Sequence, residues 1–135
     1  MKKIFLDTSV LVAIINDDDV MHEEAKRLLE SVKHAGIGVI VSDYIFDECI
    51  TTVLSRSGHY SAVLAGKLIL DSHFVEFIWL DEDLKFRAWE YFVKHDDKGY
   101  SFTDCTSFVL MKELKLTYYL GFDRHFEQAG FRLYC

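Results

Sequence analysis

The chain has 135 residues, of which 50% are hydrophobic and 15% aromatic, and its 15 basic and 22 acidic side chains give a formal net charge of −7. This length predicts one domain, residues 1–135, with a sizeable core. The negative charge excludes a protein that holds nucleic acid by overall electrostatic attraction. A phosphate ligand would need local positive charge, which a bound divalent cation can supply.

The cysteines and the N-terminal segment bear on the cellular compartment. Cys49, Cys105 and Cys135 are odd in number and widely spaced, which favours neither a disulfide framework nor a zinc site. The apolar stretch near the N-terminus is interrupted at positions 7–9 and is too short to span a membrane. We therefore expect a cytoplasmic protein without a membrane segment or signal peptide.

Short apolar runs alternate with amphipathic stretches along the chain, which contains no proline and no repeat. The predicted strands are 2–6, 39–41, 74–80, 116–120 and 130–134, and the predicted helices are 10–15, 22–35, 43–56, 60–70, 82–93, 105–114 and 124–129. Such alternation predicts an α/β fold in which helices cover both faces of a mainly parallel sheet. The final strand is expected at an edge.

Three acidic residues stand where predicted elements meet. Asp7 follows the first strand, Asp104 precedes the apolar helix 105–114, and Asp123 follows the fourth strand. Because parallel strands end at one edge of a sheet, and the following helices begin there, these carboxylates are expected to face one cleft. Clustered carboxylates repel unless they are protonated or share a cation, and oxygen ligands favour Mg²⁺ or Mn²⁺. A site of this kind can hydrolyse a phosphodiester.

Ordinary structural roles compete with this interpretation. Asp7 can be a helix N-cap, Ser101 and Asp104 have the spacing of a capping box, and Asp123 can be a turn residue. 

A fourth acid, Glu48, lies on the polar side of helix 43–56. Helical periodicity alone makes it a surface residue and does not separate it from Asp43 and Asp47.

Several segments together resemble the PIN-domain family, especially its small VapC-like members. They are Leu6-Asp7-Thr8-Ser9-Val10-Leu11, Asp47-Glu48, Tyr100-Ser101-Phe102-Thr103-Asp104-Cys105, Phe122-Asp123-Arg124-His125-Phe126 and Gly130-Phe131. The similarity spans the chain and implies a three-layer α/β/α sandwich. It also implies an endoribonuclease that uses one or two Mg²⁺ or Mn²⁺ ions to cut RNA.

By position, the resemblance makes Asp7, Glu48, Asp104 and Asp123 the catalytic, metal-binding quartet, and it selects Glu48 over its neighbours. VapC-like proteins typically act as toxins restrained by a small antitoxin, and they commonly form homodimers. The family therefore implies RNA, an antitoxin and a second copy as partners.

One position departs from the family pattern. Members commonly carry Thr or Ser two residues before the last acid, where this chain has Gly121, so a hydroxyl that would help orient substrate or water is missing. Thr8, Ser9 and Thr103 are expected to supply polar support instead.

Other side chains have weaker functional interpretations. Arg124 and His125 are candidate phosphate contacts, with Arg56 and Lys98 as weaker ones. Cys105 is expected to be a buried thiol and not a nucleophile. 

The large aromatics Trp79, Trp89 and Phe92 are expected in the core or in an interface.

Two other functions compete with the nuclease. A phosphotransferase that uses Asp7 as nucleophile is disfavoured because Ser9 stands where a D-x-D motif requires Asp. A catalytically weak PIN-fold module for RNA or protein binding is the remaining alternative.

Overall fold

Five short strands form a parallel sheet at the centre of the fold, within the part of the chain that the structure describes. The computed structural model describes residues 2–134. Its strands are β1 (Lys3–Leu6), β2 (Gly38–Ser42), β3 (Val75–Ile78), β4 (Tyr118–Leu120) and β5 (Arg132–Leu133). The strand order is β3-β2-β1-β4-β5, and every neighbouring pair is parallel. The predicted α/β class is confirmed, with β5 at an edge.

Across the same described residues, seven helices connect the strands. They are α1 (Thr8–Ile15), α2 (His22–His34), α3 (Asp43–Ser57), α4 (His59–Asp71), α5 (Glu82–Lys94), α6 (Phe102–Glu113) and α7 (His125–Gln128). α1 to α4 pack in one group, and α5 packs on α6, which contacts α7. Right-handed crossovers that run in opposite directions along a sheet place their helices on opposite faces.

The central strand β1 is buried on both faces. Ile4, Phe5 and Leu6 are at most 1% exposed, and the apolar helix α6 contributes Phe108 and Met111, both fully buried. Continuous apolar strands suit a sheet covered on both sides. The residue that follows β1 is therefore held on the most rigid part of the fold.

The order in which successive strands are added to the sheet reverses at β1. The chain runs from β1 to β2 and β3 on one side, and then returns to β4 on the other side. Leu6 pairs with Leu120, and the Asp7 amide donates to the Leu120 carbonyl at 2.9 Å. Such a switch point opens a crevice at the carboxyl ends of the strands, where α/β proteins bind ligands.

The predicted start of α6 is wrong by three residues. The helix begins at Phe102, because Ser101 is its N-cap and Asp104 its third residue. The Ser101 hydroxyl accepts from the Asp104 amide, and the Asp104 carboxylate accepts from the Ser101 amide, which completes the predicted capping box.

The large aromatics are not core residues. Trp79 is 72% exposed, Trp89 54% and Phe92 38%, so of the two expected locations, core or interface, the core is excluded. Helical and strand spacing did not distinguish a core face from an apolar surface.

Two further expectations concern the thiols and the membrane. Cys49 and Cys105 are free and buried, whereas Cys135 lies outside the described residues. Within residues 2–134, no helix has both the length and the apolar character that crossing a bilayer requires.

Candidate functional site

A cavity of about 550 Å³ opens at the carboxyl edge of the sheet. All four predicted acids border it, and they come from four separate parts of the chain. Its lining consists of Asp7, Thr8, Ser9, Val12, Asp19, Met21, Glu48, Thr52, Arg56, Gly99, Ser101, Asp104, Phe122, Asp123 and His125. The fold thus brings the predicted quartet around one space.

Asp7 lies at the floor of this cavity and is only 6% exposed. It occupies the N-cap position of α1, but its side chain makes no capping hydrogen bond. Its Oδ2 instead accepts from the Ser9 hydroxyl at 2.9 Å, and the same hydroxyl oxygen accepts from the Phe122 amide at 2.9 Å. Ser9 therefore ties Asp7 to the segment that follows β4.

Burial raises the pKa of Asp7 from 3.8 to about 6. The negative charges of Asp104 and Glu48 contribute to this rise, while the hydrogen bond from Ser9 opposes it. Burial of a carboxylate beside like charges favours its protonated form unless a cation is present. Ionisation of Asp7 therefore costs free energy, which a bound cation would offset.

Asp104 combines a structural role with a place in the cavity. Besides capping α6, its Oδ2 accepts from Nδ1 of His125 at 2.9 Å, and the residue is 8% exposed. The capping interpretation is therefore correct for Asp104, and it does not remove the carboxylate from the cavity.

Asp123 and His125 form a tight group with Asp104. One ligand atom from each of the three lies within 4.8 Å of the others, a spacing that can hold a metal ion. The His125 amide donates to Asp123 Oδ1 at 2.9 Å, and its Nδ1 lies 3.4 Å from the same oxygen. The imidazole thus lies between two carboxylates. Its position two residues after Asp123, in the first turn of α7, was the only sequence signal of this contact.

Glu48 borders the cavity from α3, unlike its two acidic neighbours. Asp47 is exposed to solvent. Asp43 has a different role, because its Oδ1 accepts from the Leu80 amide at 3.0 Å and so fastens α3 to the end of β3. Helical periodicity had left these three acids equivalent.

The chemistry of the lining fits a hard divalent cation. Its charged donors are carboxylate oxygens, which Mg²⁺ and Mn²⁺ prefer. Thr8 also lines the cavity, and its hydroxyl oxygen is buried and has no hydrogen-bond partner among the described residues. A bound ligand would satisfy this atom, which otherwise carries a desolvation cost.

Two predicted supporting residues lie elsewhere. Thr103 does not line the cavity, and its carbonyl accepts hydrogen bonds from the hydroxyls of Thr106 and Ser107. Arg124 is an exposed residue at the start of α7 and also lies outside the lining. Sequence adjacency to Asp104 and Asp123 was a poor guide to which side chains reach the cavity.

A further part of the cavity lining was not predicted as a unit. It includes Asp19, Met21, Thr52 and Arg56. Arg56 is the only Lys or Arg that lines the cavity in the range 2–134. Its spacing of eight residues from Glu48, with Thr52 midway, places all three on one side of α3.

The two buried thiols have no evident part in this chemistry. Burial raises the pKa of Cys105 to about 11, and the charge of Asp104 adds to the shift. Burial likewise raises the pKa of Cys49 to about 12. Both remain thiols at neutral pH, in agreement with the predicted buried role of Cys105.

The PIN domain family model matches residues 4–132 of the chain. Among characterised proteins, the chain is 38% identical over 128 residues to the 23S rRNA-specific endonuclease VapC20 of Mycobacterium tuberculosis, covering 95% of each protein. It is 26% identical over 113 residues to a VapC ribonuclease of Archaeoglobus fulgidus, covering 82% of this chain and 71% of that protein.

Two solved structures are also similar to the chain. The crystal structure of VapC20, a sarcin-ricin loop cleaving toxin from M. tuberculosis, superposes with a TM-score of 0.88 at 37% identity and 96% coverage of both chains. VapBC2 from Rickettsia felis, solved with a DNA fragment from its promoter, shares the fold with a TM-score of 0.73 at 15% identity, covering 98% of this chain and 97% of that chain. The chain belongs to the PIN domain family and, within it, to the VapC toxin endoribonucleases.

Proposed function

We propose that Asp7, Glu48, Asp104 and Asp123 hold one or two Mg²⁺ or Mn²⁺ ions and that the chain uses them to cut ribosomal RNA. The observation that carries this proposal is the convergence of four acids, from four segments, on one cavity at the switch point of the sheet. The donor set and the unpartnered Thr8 hydroxyl support a bound cation with its associated ligands.

The bound cation would activate water, polarise the scissile phosphate and stabilise the leaving oxygen. The protein's own contribution is positional. Ser9 holds Asp7 by a hydrogen bond, and the Ser101 amide and His125 hold Asp104. Carboxylates fixed in this way need little reorganisation when a ligand binds. The raised pKa of Asp7 means that its proton must leave before the site reaches full negative charge.

The substrate class rests on similarity to one relative. VapC20 is named a 23S rRNA-specific endonuclease, and the present chain matches it across 95% of both sequences. The net charge of −7 argues that RNA is not held by overall attraction, so recognition is expected to be local. Action on ribosomal RNA also implies a cytoplasmic protein, as the cysteine content predicts.

Purified protein incubated with intact ribosomes and Mg²⁺ or Mn²⁺ tests this proposal. We expect defined cleavage of ribosomal RNA that is lost with EDTA and with Asp7→Asn or Asp104→Asn. Asp47→Asn, on exposed α3 surface outside the cavity, is the matched control and should retain activity. Cleavage that persists in both site variants would refute the assignment.

We further propose that a small antitoxin occupies an apolar groove of about 500 Å³ between α1, α2, α4 and β3. Leu68 lines this groove and is 64% exposed, whereas the neighbouring Leu70 is 55% exposed and lies outside it. Leu68→Glu should therefore abolish co-purification with the antitoxin, and Leu70→Glu should not. Equal effects of both substitutions would contradict the proposal that the antitoxin binds in this groove.

A homodimer is the remaining partner expected from the family. Trp79, Phe86 and Trp89 are all more than half exposed, and burial of such aromatics commonly stabilises a protein interface. Sedimentation of Trp89→Lys should show a monomer if this surface joins two copies. An unchanged sedimentation coefficient would place the interface elsewhere.

A further inference from the structure

We propose that Arg56 binds an RNA phosphate beyond the one that is cut, so that α3 guides the RNA strand away from the acidic quartet. This inference rests on the proposed nuclease function. It concerns a residue that lines the cavity from the C-terminal end of α3, and it assigns this part of the lining to substrate binding.

The first argument is charge. Among the described residues, Arg56 is the only Lys or Arg in a cavity that also contains five Asp or Glu side chains. A cation at the quartet neutralises charge near the reacting phosphate, but it does not serve the next phosphate along the strand. A guanidinium matches two phosphate oxygens through paired N–H donors. Arg56 is therefore the cavity's natural contact for a second phosphate.

The second argument is spacing along α3. Glu48, Thr52 and Arg56 are four residues apart and all line the cavity, so they form one row on the helix. Eight residues correspond to about 12 Å along the helix axis. This separation places Arg56 about two helical turns beyond Glu48, and Thr52 lies between them with a hydroxyl that can form hydrogen bonds.

The third argument is orientation. Asp19 Oδ1 accepts from the Met21 amide at 2.8 Å, which fixes this carboxylate in the loop between α1 and α2. The other carboxylate oxygen of Asp19, Oδ2, lies 3.9 Å from Nη1 of Arg56. An exposed ion pair of this length contributes little stability, but it biases the direction of a flexible side chain. Asp19 therefore acts as a positioning residue that keeps the guanidinium at the cavity.

The test compares Arg56→Gln, Arg56→Lys and the control Arg27→Gln. Arg27 is exposed on α2, is paired with Glu24 and lies outside the cavity, so its replacement removes the same charge elsewhere. Steady-state cleavage of ribosomal RNA in Mg²⁺ is measured over a series of KCl concentrations, and Mn²⁺ binding is measured by calorimetry without RNA. Urea midpoints verify that each variant folds.

For Arg56→Gln we expect KM to rise on the order of tenfold, with a smaller change in kcat. The slope of log(kcat/KM) against log[KCl] is negative, and its magnitude should decrease by about one relative to Arg27→Gln, because one phosphate contact is lost. Arg56→Lys should restore the salt slope but only part of the KM, since it keeps the charge and loses the paired donors. Mn²⁺ affinity should stay unchanged.

Other outcomes overturn the inference in distinguishable ways. If Arg56→Gln matches Arg27→Gln in KM and salt slope, Arg56 does not contact RNA. Loss of Mn²⁺ binding in Arg56→Gln would show that the residue supports the acidic site and not the substrate. If the unmodified protein cleaves no RNA while it binds Mn²⁺, the proposed function fails and the inference fails with it.

Discussion

The backbone of Gly121 lies directly against the side chain of Asp7. A Cβ atom on Gly121 would be 2.9 Å from the Cβ of Asp7 and 3.3 Å from its Oδ2. Since Asp7 is held by its position after β1 and by Ser9, it has little freedom to withdraw. The family resemblance suggested only a missing hydroxyl at this position. The structure adds that the absence of a side chain is what gives Asp7 its room.

Gly121→Ala should consequently lower both the stability of the fold and the nuclease activity. We expect the free energy of unfolding to fall by about 1–3 kcal/mol, as is usual when an atom is forced into a packed site, together with a loss of RNA cleavage. Gly38→Ala is the control, because its Cβ would make an ordinary 3.8 Å contact with Lys3. Urea unfolding and cleavage assays measure the two effects. A fully active Gly121→Ala would mean that Asp7 can shift without penalty.

The pH dependence of stability should carry the signature of Asp7. Its pKa rises from 3.8 to about 6 on folding, so between these pH values the folded state binds more protons than the unfolded state. Without divalent ions, the free energy of unfolding should therefore fall as pH rises through this window, by up to about 3 kcal/mol. Above about pH 6 this contribution should be constant.

Asp7→Asn should remove this pH-dependent loss. At pH 7 in EDTA we expect the variant to be more stable than the unmodified protein, and we expect Mn²⁺ to stabilise only the unmodified protein. Urea titrations from pH 4 to pH 8 measure both effects, with the exposed Asp17→Asn as control. A variant that is less stable than the parent at pH 7 in EDTA would contradict the assigned cost of ionising Asp7.

Ser9 should affect stability and the Asp7 pKa together. Ser9→Ala leaves the Phe122 amide without its acceptor and removes a hydrogen bond to Asp7, at a cost of about 1–3 kcal/mol. Because that bond lowers the Asp7 pKa, its loss should move the pH midpoint upward. Ser9→Thr retains the hydroxyl and should preserve the midpoint. NMR titration of the Asp7 carboxyl carbon measures the shift, and an unchanged midpoint in Ser9→Ala would exclude this coupling.

Substitutions of the three acidic residues of α3 should differ in their effects on Mn²⁺ affinity and on stability. Glu48→Gln should lower Mn²⁺ affinity and cleavage without lowering stability, because the side chain borders the cavity and makes no described hydrogen bond. Asp43→Ala should cost about 1 kcal/mol through the unpaired Leu80 amide and leave Mn²⁺ affinity unchanged. Asp47→Asn should change neither quantity. Calorimetry and urea unfolding distinguish the three, and a silent Glu48→Gln would remove Glu48 from the proposed site.

Much of the fold followed from local patterns. β1 and β2 are short apolar runs whose burial is continuous, so periodicity and length identify them directly. The start of α6 was misplaced because the capping box puts its acid inside the first turn and not before it. The sequence did not separate a core from an interface position for Trp79 and Trp89, because hydrophobicity does not reveal whether another element covers a side chain.

The sequence predicted those site residues whose positions follow from the order of the strands. Asp7 and Asp123 follow neighbouring strands, and a parallel sheet brings such residues together. Glu48 required the family pattern, since a helical wheel reports polarity and not which polar residue faces a cavity. The contact between His125 and Asp104 and the nearness of Gly121 to Asp7 depend on side-chain geometry across different segments, which local sequence does not encode.

The position of β1 between β2 and β4 has a consequence for synthesis of the protein. Asp7 is synthesised more than a hundred residues before Asp123 and before the strand that flanks Asp7 on one side. A nascent chain that lacks β4 cannot assemble the acidic cavity. An endoribonuclease built in this way would acquire its acidic site only when translation of this domain is nearly complete.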